Sequence, residues 1–185
     1  EPETPLLPVE AVKLAIQLAH DQELALSPAT RQSWLRILWS AYLEWRHPPW
    51  GREENQGWPI APLLLEHSAD REQAIRALVE VYGKRQARYL YLYKCYQLTS
   101  DELSALNELN VLNHLFLDDC TGLQSVPNLD GLKELMTLSL RGCTGLQGTD
   151  AFHGLTQLSS LCQLYLDQCT GLESLPDLSA LQRLH

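Results

Sequence analysis

Basic side chains are scarce in this 185-residue chain, where 14 lysines and arginines stand against 23 aspartates and glutamates, for a formal net charge of -9. A surface that binds nucleic-acid phosphates needs the opposite sign, so the composition argues against nucleic acid as a partner. Long apolar runs are also lacking, because none approaches the roughly 18 residues that span a bilayer. No basic stretch followed by an apolar one opens the chain. We therefore expect a cytoplasmic protein that has no membrane partner.

Signatures of catalysis and metal binding are absent as well. The sequence contains no phosphate-binding P-loop, no Gly-x-Gly-x-x-Gly, no His-Glu-x-x-His and no Gly-x-Ser-x-Gly. The six histidines lack metal-ligand spacing, and the five cysteines form no paired C-x-x-C motifs. An odd number of cysteines favours reduced thiols in a cytosol. We expect no enzyme activity, no metal and no cofactor.

The chain divides into two halves of different composition. All five tryptophans lie between residues 34 and 58, whereas four of the five cysteines lie at residue 120 or beyond. Residues 1–86 carry the proline, capping and glycine signals of a small helical domain of three or four helices, which we expect to cap the second half. The predicted helices are about 8–25, 28–45, 60–66 and 68–83.

The tryptophans of the first half have two interpretations. Trp34, Trp39 and Trp45 cover more than one stripe of the second predicted helix, so that helix is either buried on two sides or exposed to a partner, and core packing is the favoured interpretation. Trp50 and Trp58 lie in a segment rich in proline and glycine, where large rings are harder to bury. These two could instead form a second contact surface.

A line of leucines with one cysteine recurs through the second half. The first clear copy, Leu112-x-x-Leu115-x-Leu117-x-x-Cys120-x-Gly122-Leu123, repeats at 135–146 and 161–172, and a degenerate copy starts near residue 87. In Leu-x-Leu both leucines point to one side of a short strand, and the residue between them points to the other. Stacked copies predict a parallel sheet with an apolar interior on one side and a display face on the other. The cysteines of the four copies are Cys95, Cys120, Cys143 and Cys169.

This pattern resembles the leucine-rich repeat family, L-x-x-L-x-L-x-x-N/C-x-L, with cysteine in the N/C slot. The resemblance covers residues 87–185. It implies an α+β solenoid of about four units with the parallel sheet on its concave face, and residues 181–185 would begin a further unit. It also implies that the cysteines turn inward and meet main-chain groups at the end of each strand. The third unit departs from the usual return segment at 148–154, which predicts a bulge or a longer helical turn.

The outward strand positions form three columns across the predicted sheet. Aromatic and arginine side chains among small polar ones are typical of a protein-binding hot spot. An equal alternative for Tyr89, Tyr91 and Tyr93 is that they pack against the preceding helices. The first column is Tyr89, His114, Thr137 and Gln163, the middle column Tyr91, Phe116, Ser139 and Tyr165, and the third Tyr93, Asp118, Arg141 and Asp167. The predicted partner-binding residues are Tyr91, Tyr93, His114, Phe116, Asp118, Arg141, Tyr165 and Asp167.

Two function classes follow from these features. The first is a non-catalytic protein-recognition module, similar to the repeats of bacterial effectors that enter host cells or of intracellular immune receptors. The second is the substrate-recruiting region of a larger enzyme, such as a bacterial ubiquitin ligase of the leucine-rich-repeat type. Cys162, outside the repeated slot, would be the only plausible nucleophile, although an incidental surface cysteine is the favoured interpretation. We favour the recognition module.

Overall fold

A computed structural model describes residues 27–45, 61–62, 65, 71–155, 157–175 and 177–185. They form an α+β structure with two long helices and a four-stranded parallel sheet. The chain divides into two compact units between Tyr82 and Gly83. The predicted helix at 8–25, and Trp50 and Trp58, lie outside the described residues. None of the helices in the described ranges is long and apolar enough to cross a membrane.

Helix α1 spans Pro28–Trp45, as the capping signal predicts. The backbone N–H of Thr30 donates to the Ser27 hydroxyl oxygen at 3.1 Å, which satisfies one of the free amides of the first turn. Trp39 is completely buried and its indole N–H donates to the Ala74 carbonyl at 2.9 Å. Trp34 is only half-buried. Core packing is therefore the role of Trp39.

Helix α2 spans Arg71–Lys84, one residue beyond the stop predicted at Gly83. The helix ends later than predicted because the residue in the left-handed conformation is Gln86, with φ of 50°, and not Gly83. The Gln86 N–H donates to the Gly83 carbonyl at 3.1 Å. Arg36 of α1 pairs with Glu80 of α2 at 2.6 Å. Residues 61, 62 and 65 are helical and fall within the predicted stretch 60–66.

The four short strands run parallel in the order β1-β2-β3-β4. Their register aligns the leucine at the centre of each strand with that of its neighbour. Leu90, Leu115 and Leu138 are completely buried, while Leu164 in the edge strand is half-buried. The strands are β1 Tyr89–Tyr91, β2 His114–Phe116, β3 Thr137–Ser139 and β4 Gln163–Tyr165.

Two 3₁₀ helices connect the strands. The second, Thr149–Leu155, lies where a bulge or a longer helical turn was predicted for the third unit. The first, Glu102–Glu108, was not predicted, although the sequence carries its signal. Thr99 and Glu102 have capping-box spacing, and the Glu102 carboxylate accepts from the Thr99 N–H at 2.8 Å. Leu103 and Leu106 are buried three residues apart, which is the period of this helix type.

Candidate partner-binding surface

The repeated cysteines fix the end of each strand. In three copies the thiol donates to the carbonyl of the inward leucine of the preceding copy. The residue before each cysteine takes the left-handed conformation, which turns the chain away from the sheet at the same place every time. The thiol contacts are Cys120 to Leu92 at 3.0 Å, Cys143 to Leu117 at 3.1 Å and Cys169 to Leu140 at 2.9 Å. The left-handed residues are Lys94, Asp119, Gly142 and Gln168.

Three of these thiols, Cys120, Cys143 and Cys169, are poor nucleophiles. The neighbouring Cys95 thiol and burial raise the pKa of Cys120 well above its usual value, and burial raises the pKa of Cys143 and Cys169. Cys162 is half-buried and its thiol donates to the Ser160 carbonyl at 3.3 Å. Over the described ranges, no group of three or more His, Cys, Asp or Glu side chains could hold a metal ion.

Thiol labelling of the folded chain should modify Cys162 first, because the other four thiols are buried. We expect iodoacetamide and peptide mass spectrometry to find Cys162 labelled in native buffer and all five cysteines labelled in denaturant. A Cys162→Ser variant is the control and should leave no fast thiol. Simultaneous labelling of Cys120 or Cys143 would contradict the burial. A Cys162 rate far above that of a free thiol would favour the enzyme class.

The first column of the display face is joined by ring stacking and hydrogen bonds. The rings of Tyr89 and His114 are parallel to within 8°, with centroids 4.3 Å apart. The Thr137 hydroxyl donates to the Gln163 side-chain oxygen at 3.0 Å and forms a second hydrogen bond, also of 3.0 Å, with His114 Nδ1. Burial lowers the pKa of His114.

Three aromatic rings lie together where the middle and third columns begin, and we call them the aromatic cluster: Tyr91 and Phe116 of the middle column and Tyr93 of the third. Tyr91 and Phe116 stack to within 6°, with centroids 4.7 Å apart. The Tyr93 ring is tilted by 50° against Tyr91 and by 55° against Phe116, with centroid distances of 5.7 and 6.4 Å. All three side chains are half-buried. The three rings therefore contact one another and keep part of their surface exposed.

Small residues lie between the aromatic cluster and the last strand. Thr137 and Ser139 occupy the display face as predicted, but they are 4% and 0% exposed. Their register partners in the adjacent strands are larger, Phe116 and Tyr165 for Ser139. Each of the two hydroxyls also makes a hydrogen bond on that face. The Ser139 hydroxyl donates to the Asp118 carboxylate. Sequence alternation gives the side on which a residue lies, whereas its exposure depends on the size of its neighbours in the sheet.

The third column is a row of alternating charge. The Arg141 guanidinium lies over the Tyr165 ring, 4.3 Å from its centroid, and its Nε donates to Asp167 at 2.8 Å. This hydrogen bond raises the pKa of Arg141 and lowers the pKa of Asp167. Asp118 accepts from the Arg141 backbone N–H at 3.2 Å, yet burial raises the pKa of its carboxyl.

The two aspartates should affect stability with opposite dependence on pH. The pKa of Asp118 is raised in the fold, so its contribution to stability is fully present when the pH is below the ordinary pKa near 3.8. That contribution is lost as the pH rises through the pKa of Asp118 in the folded state. The contribution of Asp167, whose pKa is lowered, is present above the ordinary value and is lost as pH falls. Urea unfolding at a series of pH values around these pKa values should therefore show the free energy of unfolding of Asp118→Asn increasing relative to that of the wild type as the pH rises.

The matched variant Asp167→Asn should show the reverse: its free energy of unfolding should decrease relative to that of the wild type as the pH rises. Asparagine at residue 118 still offers an oxygen to Ser139 and to the Arg141 N–H, so both hydrogen bonds persist in that variant. Parallel pH profiles for the two variants would contradict the burial of Asp118.

The structure brings the eight predicted binding residues onto one sheet face. The ladder continues past the strands, since Lys94 N–H donates to Asp118 O at 2.9 Å and Asp119 N–H to Arg141 O at 2.7 Å. The third column is therefore in register with the other two. Sequence reasoning did not assign Ser139 and Thr137 their linking roles.

Comparison with protein-family models and with curated proteins finds no match for this chain.

Proposed function

We propose that this chain is a non-catalytic recognition module of the leucine-rich-repeat type, and that its display face binds a protein partner. The observation that carries the proposal is the row of packed side chains across the sheet. Stacked rings at Tyr91 and Phe116 lie at one end of it, and the Arg141, Tyr165 and Asp167 group lies at the other. In this proposal the module works in a cytoplasm, as part of a larger bacterial effector or immune-sensor-like protein.

The chemistry of this surface suits binding rather than catalysis. Aromatic and arginine side chains supply most of the energy at protein interfaces, because each offers large contact area with few rotatable bonds. Here their rotamers are already restrained by mutual stacking and by the ion pair with Asp167. A partner would therefore pay little additional side-chain entropy on binding.

The solenoid part of the proposal rests on repetition of contacts as well as of sequence. In all four copies the same slot holds a buried cysteine, and the residue before it has a positive φ. The spacing between successive cysteines, 25, 23 and 26 residues, equals the spacing between successive strand starts. Units that stack with equal register bury a continuous interior, which is how repeat proteins gain stability.

Capture of a partner by this protein should depend on the display face. We expect the triple change Phe116→Ala, Arg141→Ala and Tyr165→Ala to weaken capture at least about tenfold, since hot-spot truncations cost more than about 1 kcal/mol each. The readout is affinity purification with quantitative mass spectrometry, followed by titration of the captured partner.

The matched control changes a tyrosine and an arginine that are exposed outside the strands, Tyr96→Ala with Arg183→Ala. It should capture the partner as the wild type does. Thermal unfolding is measured for both variants, and the single change Phe116→Ala serves if the triple variant does not fold. Capture that survives in a folded triple variant would exclude the display face as the binding site.

A further inference from the structure

One arrangement occurs twice on the display face. An aromatic residue in the middle column is followed, two positions later in the third column, by an aspartate: Phe116 with Asp118, and Tyr165 with Asp167. In the second pair both side chains engage Arg141 from the adjacent copy, the ring at 4.3 Å and the carboxylate at 2.8 Å. An aromatic ring and a carboxylate at this spacing therefore suit a guanidinium on this sheet.

The first pair receives no such arginine from its neighbour. The third-column residue of the preceding copy is Tyr93, which lies beside Asp118 in the ladder because Lys94 N–H donates to Asp118 O. Tyr91 and Tyr93 add two further rings next to Phe116, at 4.7 and 6.4 Å. Three half-buried rings therefore occupy sheet positions next to Asp118, and rings beside a carboxylate attract cations through the negative faces of the rings.

Asp118 has capacity for an additional partner. Both its contacts, from the Ser139 hydroxyl and the Arg141 N–H, are accepted by Oδ1. Within the described part of the chain, no hydrogen bond reaches Oδ2. Burial raises the pKa of this carboxyl despite these two donors, so its negative charge is incompletely compensated in the fold.

The charge of the surface has the sign that favours a cation. The three columns carry Asp118 and Asp167 against Arg141, the pKa of His114 is lowered, and the whole chain has a net charge of -9. Arg141 is already engaged by Asp167 and Tyr165, which makes it a weaker site for an incoming carboxylate. Complementary charge steers and orients a partner even where it adds little to affinity.

We infer that the aromatic cluster and Asp118 bind a cationic side chain, arginine by preference, from a basic segment of the partner protein. The inference rests on the proposed function, since it assigns the partner's chemistry at the same display face. The incoming guanidinium stacks on the rings while its N–H groups donate to Asp118 Oδ2. This arrangement repeats, between two molecules, the contacts that Arg141 makes within this one.

An array of acetylated and amidated hexapeptides tests the inference with the whole chain. Each peptide carries arginine, lysine, glutamate or leucine at one central position among randomised neighbours, and binding is measured at about 0.15 M salt to screen long-range attraction. We expect the arginine set to bind best. Asp118→Asn and Phe116→Leu should each weaken that set roughly tenfold, within the range of a desolvated cation–π contact with its carboxylate.

The matched control is Asp101→Asn, which removes one exposed carboxylate outside the sheet and should leave binding unchanged. Arginine peptides that bind Asp118→Asn and the wild type equally would overturn the inference, because they would report only the net charge of the chain. Preferential binding of glutamate or leucine peptides, lost in the triple variant, would also overturn it while leaving the proposed function intact. Absence of peptide binding overturns the inference alone, since capture of the full partner judges the function separately.

Discussion

Replacement of Leu138 by alanine is expected to lower the free energy of unfolding by about 2–5 kcal/mol. Leu138 is 0% exposed at the centre of β3, and its register partners on both sides are leucines, Leu115 and Leu164. The cavity left by the truncation cannot be filled unless neighbouring strands move, and those strands are held by their own ladder hydrogen bonds. Urea unfolding followed by circular dichroism measures the loss.

The same truncation at Leu164 is the matched control. Leu164 occupies the equivalent position in the edge strand β4, but it is half-buried and has a sheet neighbour on one side only. Less surface is lost from contact, and solvent can reach part of the space, so the cost should be clearly smaller. Equal losses at the two positions, or a loss below about 1 kcal/mol at Leu138, would contradict an interior shared by successive copies.

Alanine at Gly145 should cost on the order of 3 kcal/mol, at the upper end of the range for overpacking. A Cβ at this position would lie 2.3 Å from the Thr121 carbonyl oxygen and 2.7 Å from that of Leu123, both in the preceding copy. These are backbone atoms, so the steric overlap with the added Cβ can be removed only if the two stacked turns move apart. The equivalent glycines, Gly122 and Gly171, would bring a Cβ within 2.4 and 2.6 Å of backbone oxygens. The Cys-x-Gly-Leu part of the repeat is thus a stacking requirement.

Gly83→Ala provides the contrast. Its Cβ would meet only the Leu109 side chain, at an ordinary 3.9 Å, near the end of helix α2. Alanine there should be neutral or stabilising by up to about 1 kcal/mol, because glycine is the poorer helix former. The melting temperatures of the two variants should therefore move in opposite directions or differ widely. A tolerated Gly145→Ala would show that the turns do not pack this closely.

The features that the sequence predicts are those that depend on patterns of a few neighbouring residues. Leucine alternation places Leu90, Leu115 and Leu138 in the interior, and the serine–proline pair at residues 27 and 28 begins α1. The cysteine slot lies inside and meets main-chain carbonyls, as the resemblance implies. Each pattern spans one strand or one helical turn, so local chemistry is sufficient to specify it.

The side-chain contacts that join different copies on the display face were not predicted. Arg141 and Asp167 are 26 residues apart, and Asp118 and Ser139 are 21 apart. Columns can be aligned from the repeat alone, but the direction in which each long side chain leans depends on the size of its neighbours. Ser139 illustrates the point, because it lies on the display face and is nevertheless completely buried.

Hydroxyl-radical footprinting of the protein, alone and with its captured partner, tests the central claim most directly. Aromatic side chains react strongly, so each ring reports its own accessibility by peptide mass spectrometry. We predict that the partner protects Tyr91, Phe116 and Tyr165, while Tyr96, which is 49% exposed outside the strands, stays as reactive as in the free protein. Protection of Tyr96 or Trp34 with unchanged labelling of Phe116 and Tyr165 would contradict recognition by the sheet face.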